Sequence, residues 1–492
     1  MALTGNEGMK HFNHLFDEYS LLPKNYDEIF STSKTIRNEA KFIVEYFNQF
    51  APHEYEHLHS KAHSLFLEQG VTFGAPDEKN EKIFPFDLIP RVITAAEWKK
   101  IERGLIQRIK ALNLFLIDIY HKQHILKSRV IPKEMILSAS GYLPQLQNII
   151  PQGKTHVHVA GIDIIRDEIG NYVILEDNLR VPSGVSYALT NRHTSQILLP
   201  QLMNAQSIYP IDEYPSQLSA TLHSLTECQQ NDLAVVLTPG PFNSAYYEHA
   251  YLAKAMNWPL VEGKDLYVRN NEVFMRTAKG SQRVKIIYRR IDDTFLDPTS
   301  LNPESLIGVP GLMQAYQAGN VLLANAPGTG VADDKAVFAY VPQMIKFYLD
   351  EDPILPQVET FLCAQKKELN HVLNNMDKLV VKMVDQSGGF GLLIGPQANK
   401  NQIDEFRKLL QSNPRKFIAQ PLVEFSSSPT MCGGKMMPKR IDFRPYVLSG
   451  ISHWIMPGGL SRVALAENSY VVNSCQGGGS KDTWIMKSRD EK

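Results

Sequence analysis

Two short segments end in side chains that suit a divalent cation. VHVAGIDIIRD begins directly after His156 and YVILEDN follows it after a polar turn, and this pattern predicts a β-hairpin. Glu176 and Asn178 are two residues apart and face the same way, while Asp163 lies on the neighbouring strand. Two carboxylates and an amide oxygen are hard donors for Mg²⁺. The alternative is a solvent-exposed acidic hairpin, but Arg180 and the PSG turn that follow favour a cation site.

A lysine next to a glycine-rich turn is a second chemical feature. LVVKMVDQSGGFGLLIG places Lys382 on a strand just before Gly388, Gly389 and Gly391. Glycine turns leave backbone N–H groups free for phosphate oxygens, and a lysine adds a point charge. A plain β-hairpin whose glycines supply positive φ angles has the same pattern. The segment therefore indicates a phosphate site only together with other cationic residues.

Three later segments supply polar groups of the same kind. In IAQPLVEF, the strand that contains Gln420 can offer its backbone to an adenine edge, and Glu424 can hold a ribose hydroxyl. The alternative is that this segment is a buried strand with an edge proline. Asp442 and Arg444 share a strand face and form either a phosphate site or a salt bridge. Arg462 follows in GGLSRVALAEN.

The segment HEYEH gives a competing signal of a different enzyme class. His53, Glu54 and His57 match the H-E-x-x-H pattern of zinc metallopeptidases, with His63 at the spacing of a third ligand. Ser60 stands where those proteases have a glycine, so the segment is predicted to continue as a helix. On that helix His63 lies about 120° from His57, so the rings do not converge. A histidine-rich surface helix is the favoured interpretation.

Helices and strands in four regions must position these residues. Apolar residues at three- and four-residue spacing predict a helix over 94–127, and strands alternate with a helix from about Leu233 to Pro327 in a Rossmann-like pattern. Further strands follow, and the loop MCGGKMMPK is predicted to be exposed. The predicted regions are a helical N-terminal region at 1–93, the hairpin region at 94–190, the Rossmann-like domain at 191–330 and the lysine- and glycine-containing region at 331–492.

Two segments of the middle region and the C-terminal segment leave alternatives open. The GPFNSA loop is either an anionic-substrate site at a helix N-terminus or an ordinary βα connection, and YRRIDD is either a substrate contact or an ion-pair cluster. VVNSCQGGGSKDTW contains Asn473 and has the composition of a flexible tail, but Trp484 and Ile485 predict that it packs.

Composition excludes several classes of protein. The chain has 492 residues, with 51 Lys and Arg against 52 Asp and Glu, a net charge of −1. This balance gives no basic surface for nucleic acid or anionic lipid. The four cysteines form no C-x-x-C pair, and no apolar run reaches the length of a membrane span. We therefore expect a soluble cytoplasmic protein without nucleic-acid or membrane partners, whose oligomeric state the sequence leaves undetermined.

The order of these motifs resembles the ATP-grasp superfamily in circularly permuted form. In the usual motif order of that superfamily, the aspartate and the Glu-x-Asn motif come last. Here Asp163 and the Glu-x-Asn motif at Glu176 and Asn178 come first. FPFDLIPR, LEDNLRVPSGVSY, ADDKAVFAYVP and NSCQGGGSKDTW are similar to phrases of the proteins related to glutathionylspermidine synthase. The motif residues run in the order Asp163, Glu176, Asn178, Lys335, Lys382, Gln420, Asp442, Arg444, Arg462 and Asn473.

The resemblance implies an α/β protein with a permuted ATP-grasp unit, a Rossmann-like (pre-ATP-grasp) middle domain and a helical N-terminal region. It implies that the ATP-binding residues are Lys335, Lys382, Gly388, Gly389, Gly391, Gln420, Leu422, Glu424, Asp442 and Asn473. The implied Mg²⁺ donors are Asp163, Glu176 and Asn178. The arginines implied to act on the transferred phosphoryl group are Arg444, Arg462 and Arg180. Asp442 either binds metal or orients Arg444.

The activity implied by the resemblance is ATP- and Mg²⁺-dependent ligation of a carboxylate to an amine through an acyl phosphate. The partners are then a small-molecule or peptide acid and an amine, with ADP and phosphate as by-products. No amidase-like domain accompanies the pattern, so amide hydrolysis is not expected. A nucleotide-binding protein without turnover is the alternative, and a zinc metallopeptidase using His53, Glu54 and His57 is a more distant one.

Overall fold

The computed structural model describes residues 14–72, 83–386, 391–466, 469–472 and 478–488. The sites predicted at Gly388, Gly389 and Asn473 lie outside these ranges. Within these ranges, no helix combines the length and the apolar content needed to cross a membrane. The described α-helices are α1 (Lys41–Phe47), α2 (Pro52–Glu68), α3 (Ala95–Ile119), α4 (His124–Lys127), α5 (Lys133–Leu137), α6 (Val185–Leu198), α7 (Pro200–Asn204), α8 (Tyr214–His223), α9 (Tyr246–Met256), α10 (Leu312–Gln317), α11 (Lys335–Phe338), α12 (Val341–Leu349), α13 (Lys366–Asn374) and α14 (Lys400–Ser412).

The strands form several separate sheets rather than one continuous sheet. In chain order they are β1 (Phe30–Thr32), β2 (Thr35–Ile36), β3 (Phe86–Ile93), β4 (Val159–Arg166), β5 (Tyr172–Asn178), β6 (Leu233–Leu237), β7 (Leu260–Val261), β8 (Leu266–Arg269), β9 (Glu272–Thr277), β10 (Gly280–Arg289), β11 (Leu322–Ala324), β12 (Phe361–Leu362), β13 (Leu379–Met383), β14 (Leu392–Ile394), β15 (Phe417–Pro421), β16 (Ser427–Cys432), β17 (Lys435–Arg440), β18 (Tyr446–Ser449), β19 (His453–Ile455), β20 (Ser461–Val463) and β21 (Gly479–Ile485).

The long helix α3 forms one wall of the main core. A reciprocal capping box begins it, in which the Glu97 N–H donates to the Thr94 hydroxyl at 3.3 Å and the Thr94 N–H donates to the Glu97 carboxylate at 2.9 Å. One face of the helix is fully buried, as its apolar spacing predicts. The buried residues of that face include Ile101, Leu105, Ile109, Leu112 and Leu116.

The predicted continuous helix over 94–127 is wrong in its last turns. Gln123 adopts a left-handed conformation with φ of 54°, and this separates α3 from the short helix α4. The Asp118 carboxylate accepts hydrogen bonds of 2.8 Å from the N–H groups of His124 and Ile125. These contacts satisfy the first free donors of α4. The helix break therefore depends on a side-chain cap that apolar periodicity does not reveal.

The predicted acidic hairpin is present as β4 and β5. The strands are antiparallel, with Asp163 opposite Glu176 and Gly161 opposite Asn178. Strand β18 pairs with the other edge of β4, and the sheet has the order β19-β18-β4-β5. Segments more than 250 residues apart in the chain thus form one sheet, as a permuted unit requires.

Asp177 fixes the strand that carries Glu176 and Asn178. Its carboxylate accepts two hydrogen bonds from Arg108 of α3, at 2.7 Å from Nε and 2.6 Å from Nη2. The two side chains are 0% and 4% exposed. A bidentate pair of this kind defines both distance and orientation. The pair therefore holds β5 against α3 from the face opposite to Glu176.

The middle region has a mixed sheet with the order β7-β6-β10-β9-β8, and β11 also pairs with β10. Strands β6, β7, β10 and β11 are parallel, and α9 connects β6 to β7. This part has the strand-helix alternation that the sequence predicts. Strands β8 and β9 add an antiparallel arm.

A smaller antiparallel sheet with the order β12-β15-β13-β14 carries Lys382 on β13 and Gln420 on β15. It has its own apolar core, which α13 and α14 help to cover. The buried members of this core include Cys363, Val372, Met376, Leu410 and Phe417. The sheet can therefore hold its lysine independently of the main core.

The segment that contains Trp484 packs, as its apolar residues predict. Strand β21 lies parallel to β3 and antiparallel to β20, and Trp484 and Ile485 are fully buried. The prediction of an exposed loop at MCGGKMMPK is wrong, because these residues form the β16–β17 hairpin. Gly433 and Gly434, with φ of 58° and 79°, make its turn.

Helix α2 runs unbroken through His53, His57 and His63, and all three side chains are exposed. A third zinc ligand at His63 would require a break in this helix. Among the described residues, no group of three or more His, Cys, Asp or Glu side chains is arranged to hold a metal ion. The histidine-rich surface helix is confirmed, because α2 is unbroken and its three histidines are exposed.

The contribution of the Asp177–Arg108 pair can be measured. Replacing Asp177 by alanine leaves a buried guanidinium without its partner, at an expected cost of about 3–5 kcal/mol. The measurement is the urea unfolding midpoint. Glu272→Ala is the control, because its 2.8 Å pair with Arg283 is about one-third exposed and is worth roughly 1 kcal/mol or less. Equal shifts for the two variants would contradict the role of Asp177.

Candidate active site

A cavity of about 380 Å³ lies between the β4–β5 hairpin, the small antiparallel sheet and the turn before α6. Its volume is within the range of small-molecule sites. Residues from widely separated parts of the chain meet there. The predicted site residues that line it are Asp163, Glu176, Asn178, Lys335, Lys382, Gln420, Leu422, Asp442, Arg444 and Arg462.

Lys382 is held by a neutral partner. Its Nζ donates to Gln420 Oε1 at 2.7 Å, and Gln420 Nε2 donates to Thr360 Oγ1 at 3.0 Å. Burial lowers the pKa of Lys382 to about 8, with Glu176 opposing and Lys335 adding to the shift. The ammonium group is thus destabilised until a negatively charged group approaches it.

Lys335 connects the hairpin to the edge of the glycine-rich turn. Its Nζ lies 2.8 Å from Glu176 Oε1 and donates to the carbonyl oxygen of Gln386 at 2.6 Å. Asp334 caps the same turn of α11 by accepting from the Ala336 N–H at 2.8 Å. The lysine is therefore positioned at a helix start and paired with one of the predicted Mg²⁺ donors.

Two arginines and two aspartates form a buried charge cluster. Asp163 accepts from Arg444 Nε at 2.6 Å and Nη2 at 2.8 Å, and its Oδ2 lies 2.8 Å from Arg462 Nη2. Arg462 Nε also donates to Asp442 Oδ1 at 3.0 Å. Burial opposes ionisation of Asp163, but the charges of Arg444 and Arg462 outweigh it and lower its pKa below the usual range. The guanidinium groups are therefore fixed at one end of the cavity.

Glu176 and Asn178 fit a magnesium ion better than Asp163 does in this conformation. They face the cavity from the same side of β5, and the Nδ2 atom of Asn178 is buried with no hydrogen-bond partner among the described residues. The two ends of an amide are interchangeable by rotation, so this position suits an oxygen donor to a cation. Both Asp163 oxygens are occupied by guanidinium groups.

Of the predicted site residues that the structure describes, three lie outside the cavity lining. Arg180 pairs with Asp292 at 2.6 Å and with Asp333 at 3.5 Å, beyond the end of β5. Gly391 begins the strand side of the glycine turn with φ of 64°, where an added Cβ would lie 2.6 Å from Met383 Sδ. The third residue, Glu424, accepts hydrogen bonds from Arg440 and Tyr470.

The sequence left the contribution of the middle region open. Ser244 and Ala245 of the GPFNSA loop line the cavity opposite Ser183 and Gly184 of the PSG turn. The arginines of YRRIDD instead form buried ion pairs, Arg289 with Asp293 at 2.6 Å and Arg290 with Glu248 at 3.0 Å. The ion-pair interpretation of YRRIDD therefore fits the structure, and the loop contributes to the cavity.

Sequence reasoning missed two supporting residues. Glu248 accepts from the N–H groups of Gly184 and Ser186, at 2.7 and 3.1 Å, and so stabilises the start of α6. Tyr470 lines the cavity from the segment just before Asn473. No spacing rule identifies Glu248, whereas nearness to the Asn473 motif was a usable signal for Tyr470.

The family of the chain follows from its fold, its cavity and its similarity to known proteins. The circularly permuted ATP-grasp type 2 family matches residues 90–464. This match covers most of the 492 residues, and the chain belongs to this family. The resemblance drawn from the motif order is confirmed, and ATP binding follows from the family.

The relatives found by comparison include proteins of similar length and longer proteins. An uncharacterized protein of Synechocystis sp. is 47% identical over 94% of this chain and 97% of its own length. An uncharacterized protein of Mycobacterium tuberculosis is 45% identical over 94% of this chain and 84% of its own. A putative glutamate–cysteine ligase of Frankia alni is 37% identical over 94% of this chain but only 54% of its own, so its description belongs to a longer protein.

Similarity to a solved structure shows the fold. A glutathione synthetase-like effector from Globodera pallida, in its apo form, superposes with a TM-score of 0.56 at 10% identity. The match covers 88% of this chain and 98% of the effector. The α/β architecture inferred from the sequence is therefore confirmed.

The lowered pKa of Lys382 can be measured directly. In protein with ¹³C-methylated lysines, we expect one resonance, absent from Lys382→Arg, to titrate near the pKa of about 8 that burial causes. Glu176→Gln removes a charge that raises this pKa, so the value should fall further. Glu405→Gln, on the exposed face of α14, is the control and should leave the value unchanged. Titration near the ordinary lysine value of about 10.4 would contradict the burial.

Proposed function

We propose that this protein is an ATP- and Mg²⁺-dependent carboxylate–amine ligase that works through an acyl phosphate. The observation that carries the proposal is the convergence of four cationic side chains on one cavity beside the Glu176–Asn178 face. These four residues are Lys335, Lys382, Arg444 and Arg462. Such a set suits a ligand with several phosphate groups. Family membership supports the same activity.

Each part of the cavity has a role in this proposal. Lys335 and Lys382 bind ATP phosphates, and Gln420 and Leu422 border the adenine. Arg444 and Arg462 face the transferred phosphoryl group, and Asp442 holds Arg462 in place. The roles of Gly388, Gly389, Gly391 and Asn473 in ATP binding are predictions from the motif. Arg180 supports the end of β5 rather than contacting substrate, because its charge is paired outside the cavity.

The reaction has two displacements. A carboxylate oxygen of the acid attacks the γ-phosphorus of ATP, ADP leaves, and an acyl phosphate forms. The amine then attacks the carbonyl carbon, phosphate leaves, and the amine nitrogen loses a proton. The arginines and lysines neutralise the charge that moves between these groups and keep the reacting atoms in line. Magnesium held by Glu176 and Asn178 would neutralise phosphate charge.

The proposal is tested by trapping the activated acid. The protein is incubated with MgATP, a candidate acid and hydroxylamine, which reacts with an acyl phosphate to give a hydroxamate. Glutamate is the first acid to try, because relatives such as the one from Frankia alni are described as putative glutamate–cysteine ligases. Hydroxamate and ADP in equal amounts would support a ligase. ATP binding with no acid-dependent ADP release across a panel of acids would instead support a nucleotide-binding protein without turnover.

Loss of the Lys382 charge should weaken ATP binding and leave the fold intact. Calorimetric titration of Lys382→Ala with MgATP should show a Kd raised roughly ten- to hundredfold, the value of a hydrogen bond to a charged group. Lys408→Ala, on the exposed side of α14, is the matched control. In wild type the affinity should fall as the pH rises through about 8, because binding requires the ammonium form. Unchanged affinity in Lys382→Ala would remove the phosphate assignment.

The metal assignment makes a separate prediction. Glu176→Gln replaces a charged oxygen donor by a neutral one, so the Mg²⁺ concentration that gives half-maximal ATP binding should rise. Asn178→Ala should act in the same direction, and Glu405→Gln should have no effect. Wild-type Mg²⁺ dependence in both cavity variants would place the metal elsewhere.

A further inference from the structure

Part of the cavity wall is apolar and includes a short segment that contains Tyr470. The residues that line this part include Leu422, Val423, Phe425, Tyr470 and Val472. It lies beside Gln420, since the strand β15, which carries Gln420, ends at Pro421 and leads directly into Leu422. Under the proposed function, this part receives the base and ribose of the nucleotide.

Tyr470 belongs to a closed triangle of contacts with two charged residues. The Arg440 guanidinium lies 3.8 Å from the centroid of the Tyr470 ring, and Arg440 Nη2 donates to the Tyr470 hydroxyl at 3.0 Å. The Tyr470 hydroxyl donates to Glu424 Oε1. Arg440 also donates to Glu424 Oε2, at 2.9 Å from Nη2 and 3.2 Å from Nε. Each residue therefore contacts both of the others.

The three members come from separate segments. Glu424 follows β15, Arg440 ends β17, and Tyr470 lies 30 residues after Arg440 and 46 after Glu424. The side chains of Arg440 and Glu424 are only 12% and 27% exposed, so their charges interact more strongly than a surface pair. The triangle thus ties the segment with Tyr470 to the sheet that carries Gln420.

The sequence suggested that Glu424 holds a ribose hydroxyl directly, but its geometry favours an indirect role. Both of its oxygens are engaged by Arg440 and Tyr470, and the described lining of the cavity contains Tyr470 and not Glu424. Whatever Glu424 does to a ligand in the cavity must therefore pass through Tyr470.

We infer that Tyr470 contacts the base–ribose part of the nucleotide and that Glu424 and Arg440 are positioning residues that hold its ring in place. The inference rests on the proposed nucleotide site. A wall residue that is fixed before binding loses little side-chain entropy when the ligand arrives, so fixing the ring increases affinity. Aromatic contact with a base adds to this effect.

The test is calorimetric titration of the full chain with MgATP and with its 2′-deoxy and 3′-deoxy forms. The variants are Tyr470→Ala, Tyr470→Phe, Glu424→Ala and the double variant Tyr470→Phe with Glu424→Ala. Tyr470→Ala should raise the Kd of ATP roughly five- to hundredfold, the range for loss of an aromatic contact with a base. Tyr470→Phe loses both hydrogen bonds of the hydroxyl, and Glu424→Ala loses the three that the carboxylate accepts. Because the ring itself remains in both variants, each should raise the Kd roughly three- to tenfold. Tyr267→Phe, which loses a hydroxyl bonded to Ser281 in the middle sheet, is the matched control.

Two readouts separate positioning from direct binding. If Glu424 acts through Tyr470, the Kd of ATP for the double variant should not exceed the higher of the two Kd values measured for the single variants. In addition, Glu424→Ala should keep the wild-type ratio of Kd values between ATP and its deoxy forms. Loss of that ratio in Glu424→Ala, with a normal ratio in Tyr470→Phe, would overturn the inference. An unchanged Kd in Tyr470→Ala would also overturn it. Failure of wild type to bind ATP at all would instead refute the proposed function.

Discussion

Compensation of positive charge inside one cavity is the constraint on which the rest of the structure depends. Two lysines and two arginines converge there, and an unpaired cation out of water costs several kcal/mol. Asp163, Asp442 and Glu176 pair with three of these cations, whereas the fourth, Lys382, donates to the neutral Gln420 and has a pKa lowered by burial to about 8. Under the proposed function, a polyanionic ligand would exchange existing pairs for new ones, and Lys382 would gain most from it.

The scaffold explains why these groups meet although they are distant in the chain. Strand β18 pairs with β4, which brings Arg444 to Asp163, and the Asp177–Arg108 pair holds β5 so that Glu176 faces Lys335. The small sheet with its own core contributes Lys382 from a third direction. Position in the fold, rather than any local motif, therefore creates the site.

Much of this was predictable from the sequence. The hairpin with Asp163, Glu176 and Asn178 followed from alternation and turn residues, and the motif order identified the family. Long-range charge pairing was not predictable. Local spacing placed Asp163 among the metal donors but contains no information about the Arg444 guanidinium group, which is 281 residues away. The same limit explains Glu424, whose partners Arg440 and Tyr470 lie on other segments, and the break before α4, which a side-chain cap causes.

The separation between Asp163 and Arg444 in the chain also affects how the protein folds during its synthesis on the ribosome. A ribosome that has just added Asp163 must add 281 more residues before the partner of that carboxylate exists. At about 5–20 residues per second this takes roughly 15–60 s. During that time the hairpin can pair with itself, but its inner carboxylate is better left in water than buried alone. Completion of the site is therefore one of the last events of folding on the ribosome, whatever the order in which the helices form.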